Sequence, residues 1–151
     1  MSKASFFKLP LFAVVGASSE RAKFGNKVLR AFQEKSLNAL PISKKQATIE
    51  GIPCIDSLKT LSHNLTVETE FPQLQGITNP SMVGVSVVTP PAATRAVLEE
   101  GAHLGYTNFL LQPGTCDAEV EKYITTLQKG NDKMNIIQGC VLVELGVDPH
   151  K

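Results

Sequence analysis

Apolar positions along this chain recur in two alternating rhythms. Leu11–Val15 is an unbroken apolar run ending at Gly16, the pattern of a short strand buried on both faces. Phe24, Val28, Leu29 and Phe32 then recur at helical spacing, which predicts a helix over about residues 25–35 with one apolar stripe. A second apolar run at 37–42 is followed by Ser43, Lys44 and Lys45, and a short strand or turn at 49–55 leads to a small helix from Asp56, a good N-cap. Residues 63–80 hold two prolines and no sustained period, so they read as a long surface loop, an inserted excursion.

The strongest strand signal is MVGVSVV at 82–88, β-branched and closed by Thr89, Pro90 and Pro91. A helix over 91–104 follows, with Pro near its first turn and Ala93, Val97 and Leu104 on its apolar face. Residues 106–111 read as a strand, Val120, Ile124 and Leu127 mark a helix from near Thr115, and 135–143 supplies a final strand. Strands alternating with helices imply right-handed βαβ crossovers. The fold class is therefore α/β: one Rossmann-like, doubly wound domain over residues 1–151, with a mostly parallel sheet of about five strands.

Composition narrows the function classes. The chain is 42% hydrophobic and 19% charged, which fits a folded domain and not a disordered segment. A formal net charge of +1 provides no overall field for nucleic acid or acidic lipid, so any anion site must be local. No tryptophan is present, which weakens a base-stacking role. Cys54, Cys116 and Cys140 are widely spaced without a CxxC, and His63, His103 and His150 form no metal-binding spacing. Reduced thiols and the lack of an apolar span fit a cytoplasmic protein. Lys3 and Lys8, with no acid before Glu20, only faintly suggest a mitochondrial presequence, and cleavage there would remove the first core strand.

In a doubly wound fold, ligands meet the loops at the carboxyl ends of the strands. The first, GASSERAKFGNK at 16–27, joins a sharp turn, two hydroxyls and a glycine at a helix start, where backbone N–H groups suit an anion. Glycine and serine also suit any such turn, and neither GxGxxG nor a P-loop is present. The second loop sharpens the choice. A site for NAD normally places a carboxylate near the end of the second strand, whereas Ser43, Lys44 and Lys45 occupy that place here. Cations there suit a phosphorylated ribose, either that of NADP or the 3′-phosphorylated ADP of coenzyme A. Pro90 and Pro91 form a rigid wall without donors, flanked by the hydroxyls of Thr89 and Thr94.

Together, FAVVGAS…KFGNKV, LPISKK, VVTPPAAT and FLLQPGT resemble the CoA-binding domain family, a module found at the N-terminus of the succinyl-CoA synthetase α subunit and as stand-alone proteins. The resemblance spans about residues 11–143 and implies a cofactor, coenzyme A, held by four loops. It implies that Gly16, Ser18, Ser19, Phe24, Gly25 and Asn26 surround the diphosphate, while Ser43 and Lys44 meet the phosphorylated ribose; the charges at this strand end predict Lys44 as the main reader of that phosphate and Lys45 as a weaker helper. Val88, Thr89, Pro90, Pro91 and Thr94 would line the adenine and pantetheine path, with Gln112, Pro113 and Gly114 closing the far side.

The histidines lie outside any phosphohistidine-like loop, and no catalytic triad or carboxylate pair stands out; Glu99, Glu100, Glu119 and Glu121 read as exposed helix surface. The expectation is a non-enzymatic module that binds CoA or an acyl-CoA as a carrier, sensor or regulatory part. Its partner is a small-molecule ligand, with neither nucleic acid nor membrane, and a protein partner is left open. The alternatives are a small NADP-binding reductase or redox sensor, for which no YxxxK pair is present, and an interaction module that has lost its ligand. Cys140 reads as a small core residue that would form a mixed disulfide with CoA only if the pantetheine arm ran toward the last strand.

Overall fold

The computed structural model describes residues 1–65 and 71–150. A short helix α1 (Lys3–Phe6) precedes β1 (Leu11–Val15), α2 (Phe24–Glu34) and β2 (Ala39–Ile42). A small antiparallel hairpin, β3 (Thr48–Ile49) and β4 (Ile52–Pro53), leads to α3 (Leu58–Asn64). Then come β5 (Val83–Val87), α4 (Pro91–His103), β6 (Asn108–Leu111), α5 (Ala118–Gly130), β7 (Asn135–Gln138) and α6 (Val141–Leu145). The main sheet is parallel throughout, in the order β2-β1-β5-β6-β7.

Both faces of this sheet are covered, which explains why its central strands read as continuous apolar runs. Leu11 and Ala13 join a core with Val83, Val85, Phe109 and Leu98 on one side. Phe12 and Val14 turn to the other side, against Val28, Leu29 and Phe32 of α2 and Val141 of α6. Phe12 and Phe32 stack with centroids 4.7 Å apart. Phe6 of α1 reaches the same layer because Gly84 of β5 leaves room: a Cβ there would stand 2.9 Å from both the Phe6 and the Phe12 rings. No helix among the described residues is long and apolar enough to cross a membrane.

Several boundaries differ from the sequence expectations for identifiable reasons. Ser57, not Asp56, caps α3, accepting from the Thr60 backbone N–H at 3.1 Å. The buried face of α4 is Thr94, Leu98 and Gly101, one step around from Ala93, Val97 and Leu104. Thr94 can turn inward because its hydroxyl finds partners locally (see below). Asp117 caps α5, so this helix starts later than Thr115, whose own hydroxyl bonds to the Gln112 carbonyl at 2.6 Å. Residues 135–143 divide into β7 and α6, separated by Gly139 and Cys140.

The segment 63–80 also departs from a plain surface loop. Its first two residues finish α3, Pro72–Leu74 and Pro80–Met82 form single 3₁₀ turns, and Leu74 and Ile77 are buried in the core. Residues 66–70 of that segment lie outside the described residues.

Candidate functional site

The strand order reverses between β1 and β5: the chain steps from β1 to β2 on one side, then returns to lay β5 on the other. Loops leaving the carboxyl ends of β1 and β5 diverge there, and divergence at that point opens a crevice. A cleft of about 620 Å³ occupies this place, within the range of small-molecule sites. Gly16, Ala17, Ser18, Ser19, Glu20 and Lys23 form one wall of it. Ser43, Lys45 and Gln46 form the second, and Val88, Thr89 and Pro90 the third.

Gly16 has φ +94°, and a Cβ on it would lie 2.6 Å from the Val88 carbonyl oxygen. Positive φ and close backbone approach both demand glycine at this position. Gly25 has a different reason. Its Cβ would fall onto the Gly16 carbonyl oxygen, so the residue sits in the contact between the start of α2 and the loop, not in the cleft. Asn26 is fully buried and works as a clamp. Its Nδ2 donates to the Ser18 carbonyl at 2.9 Å and to Glu50 Oε2 at 3.2 Å, while its Oδ1 accepts from Arg30 Nε at 2.7 Å. Phe24 is 47% exposed with Lys27 Nζ over its ring, and it is not among the residues lining the cleft.

At the end of β2, Ser43 Oγ accepts from the backbone N–H groups of Lys45 and Gln46, folding the loop back into the cleft. This turn brings Lys45 to the wall, whereas Lys44 is not among the lining residues. Lys44 lies instead within electrostatic reach of Asp56. That carboxyl is held below its ordinary pKa by hydrogen bonds from Thr60 and Ser57 and, to a smaller extent, by the Lys44 charge.

The third wall is built from β5 into α4. Thr89 and Thr94 share a hydroxyl–hydroxyl hydrogen bond of 2.8 Å, and Thr94 Oγ1 also lies 3.1 Å from the Pro90 carbonyl. Thr94 is fully buried, so it fixes the turn from beneath while Val88, Thr89 and Pro90 face the cleft. Pro91 begins α4 just behind them. The Gln112, Pro113 and Gly114 group is not brought to the cleft. Gln112 is buried, its Nε2 directed at Cys140 Sγ (3.0 Å) and its Oε1 accepting from the Val141 N–H (3.1 Å), so it anchors α6.

The cleft gathers features that suit an anion, beside one carboxylate, Glu20. No side chain caps the N-termini of α2 or α4, and both helices begin at its rim, at Phe24 and Pro91. Helix starts carry partial positive charge and unpaired N–H groups. Lys23 and Lys45 add two cations, and the carboxylate of Glu20 is engaged by Lys23 at 3.4 Å. Ala17, Glu20, Lys23 and Gln46 line the cleft but were not among the residues singled out from sequence. Cys140 is not among the lining residues either. Among the described residues, no group of three or more His, Cys, Asp or Glu side chains could hold a metal ion.

A family model described as a CoA binding domain matches residues 11–146. The fold is also similar to that of a conserved hypothetical protein from Pyrococcus furiosus, at 25% identity and a TM-score of 0.65, covering 88% of this chain and 97% of that one. A Thermus thermophilus protein of 20% identity superposes with a TM-score of 0.66, covering 95% of this chain and 92% of its own. A hypothetical protein from Pyrococcus horikoshii OT3, 19% identical, gives 0.65 over 94% of this chain and 85% of its own. None of the curated proteins compared matches this chain.

Proposed function

Because this chain belongs to the CoA binding domain family, we propose that it binds coenzyme A or an acyl-CoA through the 3′-phosphorylated ADP and does not transform it. The observation that carries this reading is the β2 end of the cleft. Ser43, Lys45 and Gln46 stand where a free ribose diol would need a carboxylate partner. Hydroxyls, two lysines and two helix N-termini suit a diphosphate plus a ribose phosphate. The Thr89–Pro90 wall would offer the adenine and pantetheine an apolar surface.

A role as carrier, sensor or regulatory module is the reading that the side chains lining the cleft support. The one carboxylate lining the cleft, Glu20, is tied to Lys23, and no residue there pairs a nucleophile with a base. Thermal denaturation with CoA, acetyl-CoA, dephospho-CoA, NADP, NAD and ADP tests the reading. A ligand at 100 times its dissociation constant stabilises the native state by about 2.7 kcal/mol. CoA should raise Tm most, by roughly 5–10 °C for a domain of this size. Stabilisation by NADP with none by CoA would overturn the proposal in favour of a redox role.

A further inference from the structure

The turn residues of the β3–β4 hairpin, Glu50 and Gly51, both have positive φ, +50° and +78°. Two such residues between the paired Ile49 and Ile52 make the tight turn that matches strand twist, and its first place usually goes to asparagine, aspartate or glycine. A glutamate there is strained, and strain of this kind persists only where the surroundings hold the residue in place. The packing supplies that hold. Ile49 is buried in the same core cluster as Val28, Leu29 and Phe32 of α2, and the Glu50 carbonyl accepts from Gln33 Nε2 at 3.0 Å.

The hairpin begins where the Ser43–Gln46 wall of the cleft ends, and its return strand is tied to the end of β2. The Ser43 N–H donates to the Ile55 carbonyl at 2.9 Å, the Ile55 N–H to the Pro41 carbonyl at 3.1 Å, and the Cys54 N–H to the Ala47 carbonyl at 2.9 Å. From this base the Glu50 carboxylate reaches the loop that forms the first wall. Its Oε2 accepts from Asn26 Nδ2 at 3.2 Å, and its Oε1 lies 3.6 Å from Arg21 Nη2. Asn26 Nδ2 also donates to the Ser18 carbonyl at 2.9 Å, which uses both hydrogens of that amide. Glu50 therefore engages the β1–α2 loop at two points, Arg21 directly and Ser18 through Asn26, although it lines no part of the cleft.

A loop of glycine and serine is costly to order, so contacts that fix it beforehand spare a ligand that cost. We propose that Glu50 is a positioning residue: reaching across from the hairpin that extends the 43–46 wall, it holds the 16–24 loop in the geometry that receives the ligand's diphosphate. The two walls are thereby one unit before any ligand arrives. That the ligand carries a diphosphate rests on the CoA reading above; the holding of the loop is a property of the free chain. A glutamate standing where glycine would relax the turn marks a position held at some cost to stability.

Glu50→Gly tests this, because glycine adopts the positive φ of the turn freely while the carboxylate is removed. Amide exchange of the ligand-free full chain should accelerate roughly fivefold or more across 17–22. Tm should stay within a few degrees of wild type, since relief of the turn offsets the lost contacts. Glu50→Gln keeps an acceptor oxygen for Asn26 and should retain most of the wild-type protection. In isothermal titration Glu50→Gly should weaken CoA and dephospho-CoA equally, by roughly tenfold, because both carry the diphosphate and both must then order the loop. A loss confined to CoA would place the effect at the 3′-phosphate and overturn the proposal, as would unchanged exchange across 17–22. A large fall in Tm with exchange rising throughout the chain would also overturn it, by making Glu50 a residue of general stability. A wild-type chain that binds neither ligand would refute the CoA reading, while exchange in the free chain would still decide whether Glu50 holds the loop.

Discussion

Replacing Lys45 with alanine removes the cation that the Ser43 turn delivers to the cleft wall, and leaves that turn intact because it rests on backbone N–H groups. A charge-assisted contact to phosphate is typically worth about 1.5–3 kcal/mol. Lys45 is exposed, so solvent screening reduces this to about 1–2 kcal/mol, or roughly a five- to thirtyfold loss of CoA affinity. Dephospho-CoA lacks the 3′-phosphate and should lose less than about twofold. Lys44→Ala serves as the internal comparison. Its charge lies near Asp56 and outside the cleft lining, so its effect on CoA should also stay below about twofold. Isothermal titration of both variants with both ligands, at low and high salt, reads all four cells of this comparison. High salt should shrink the difference between the ligands, because the Debye length falls from about 10 Å at 0.1 M to about 3 Å at 1 M. Equal losses for CoA and dephospho-CoA in Lys45→Ala, or a larger CoA loss in Lys44→Ala, would refute the assignment of the ribose phosphate to Lys45.

Other substitutions probe the scaffold. Gly25→Ala drives a methyl onto the Gly16 carbonyl, and backbone overpacking of this kind costs about 1–3 kcal/mol, so Tm should fall by several degrees in a calorimetric scan, with an unchanged Tm placing Gly25 elsewhere. Tyr106→Phe loses the buried hydroxyl bond to the Leu58 carbonyl (2.7 Å) and should cost about 1 kcal/mol at neutral pH. Burial, then the Glu100 charge, raises the Tyr106 phenol, so its contribution is complete below the ordinary tyrosine pKa of about 10 and is lost as pH rises above it; the gap between wild type and Tyr106→Phe should close in alkaline unfolding curves. Burial also raises the thiols of Cys54 and Cys116, so alkylation of both at pH 7.5 should be slow and accelerate above about pH 9; rapid labelling at neutral pH would contradict their placement. Asn26→Ala unties the Ser18 carbonyl from α2, and faster amide exchange across 17–22 with weaker CoA binding is expected; weaker binding with unchanged exchange would show that Asn26 acts on the ligand itself.

How much could be read from sequence depended on which physical constraint each residue answers to. β1 and β5 are buried on both faces, and nothing but an apolar run satisfies that, so their positions were plain. The α6 segment VLVEL is as compatible with a strand as with a helix, and only the turn at Gly139 and Cys140 and the left-handed Gly146 decide it. The α1 helix carries too few residues for a periodic signal. Loop identity followed from topology, because the carboxyl ends of parallel strands face one way. Side-chain direction within those loops did not. Asn26, Thr94 and Gln112 looked like ligand groups, but each is buried and committed to satisfying neighbouring backbone. The choice between Lys44 and Lys45 turns on one residue of register in a serine-centred turn, which residue type alone cannot resolve.

The inward-facing polar residues Asn26 and Thr94 shape the cleft from behind its lining. A loop of glycine and serine is entropically expensive to order, and a ligand that had to order it would bind more weakly. Here Asn26 holds the Ser18 carbonyl, Thr94 holds Thr89, and Ser43 folds its own loop, so one side chain fixes each cleft wall without any ligand. Gly16 and Gly25 complete the arrangement from the other direction. One admits the Val88 backbone and the other admits the Gly16 carbonyl, which draws the start of α2 against the β1 loop. The glycines therefore act on the shape of the cleft. Their small size sets how closely the backbone segments approach, and that approach aims the α2 N-terminus at the crevice where β5 delivers the N-terminus of α4. The helix ends at the cleft are thus fixed by packing, and Lys45 adds a cation beside the Lys23–Glu20 pair.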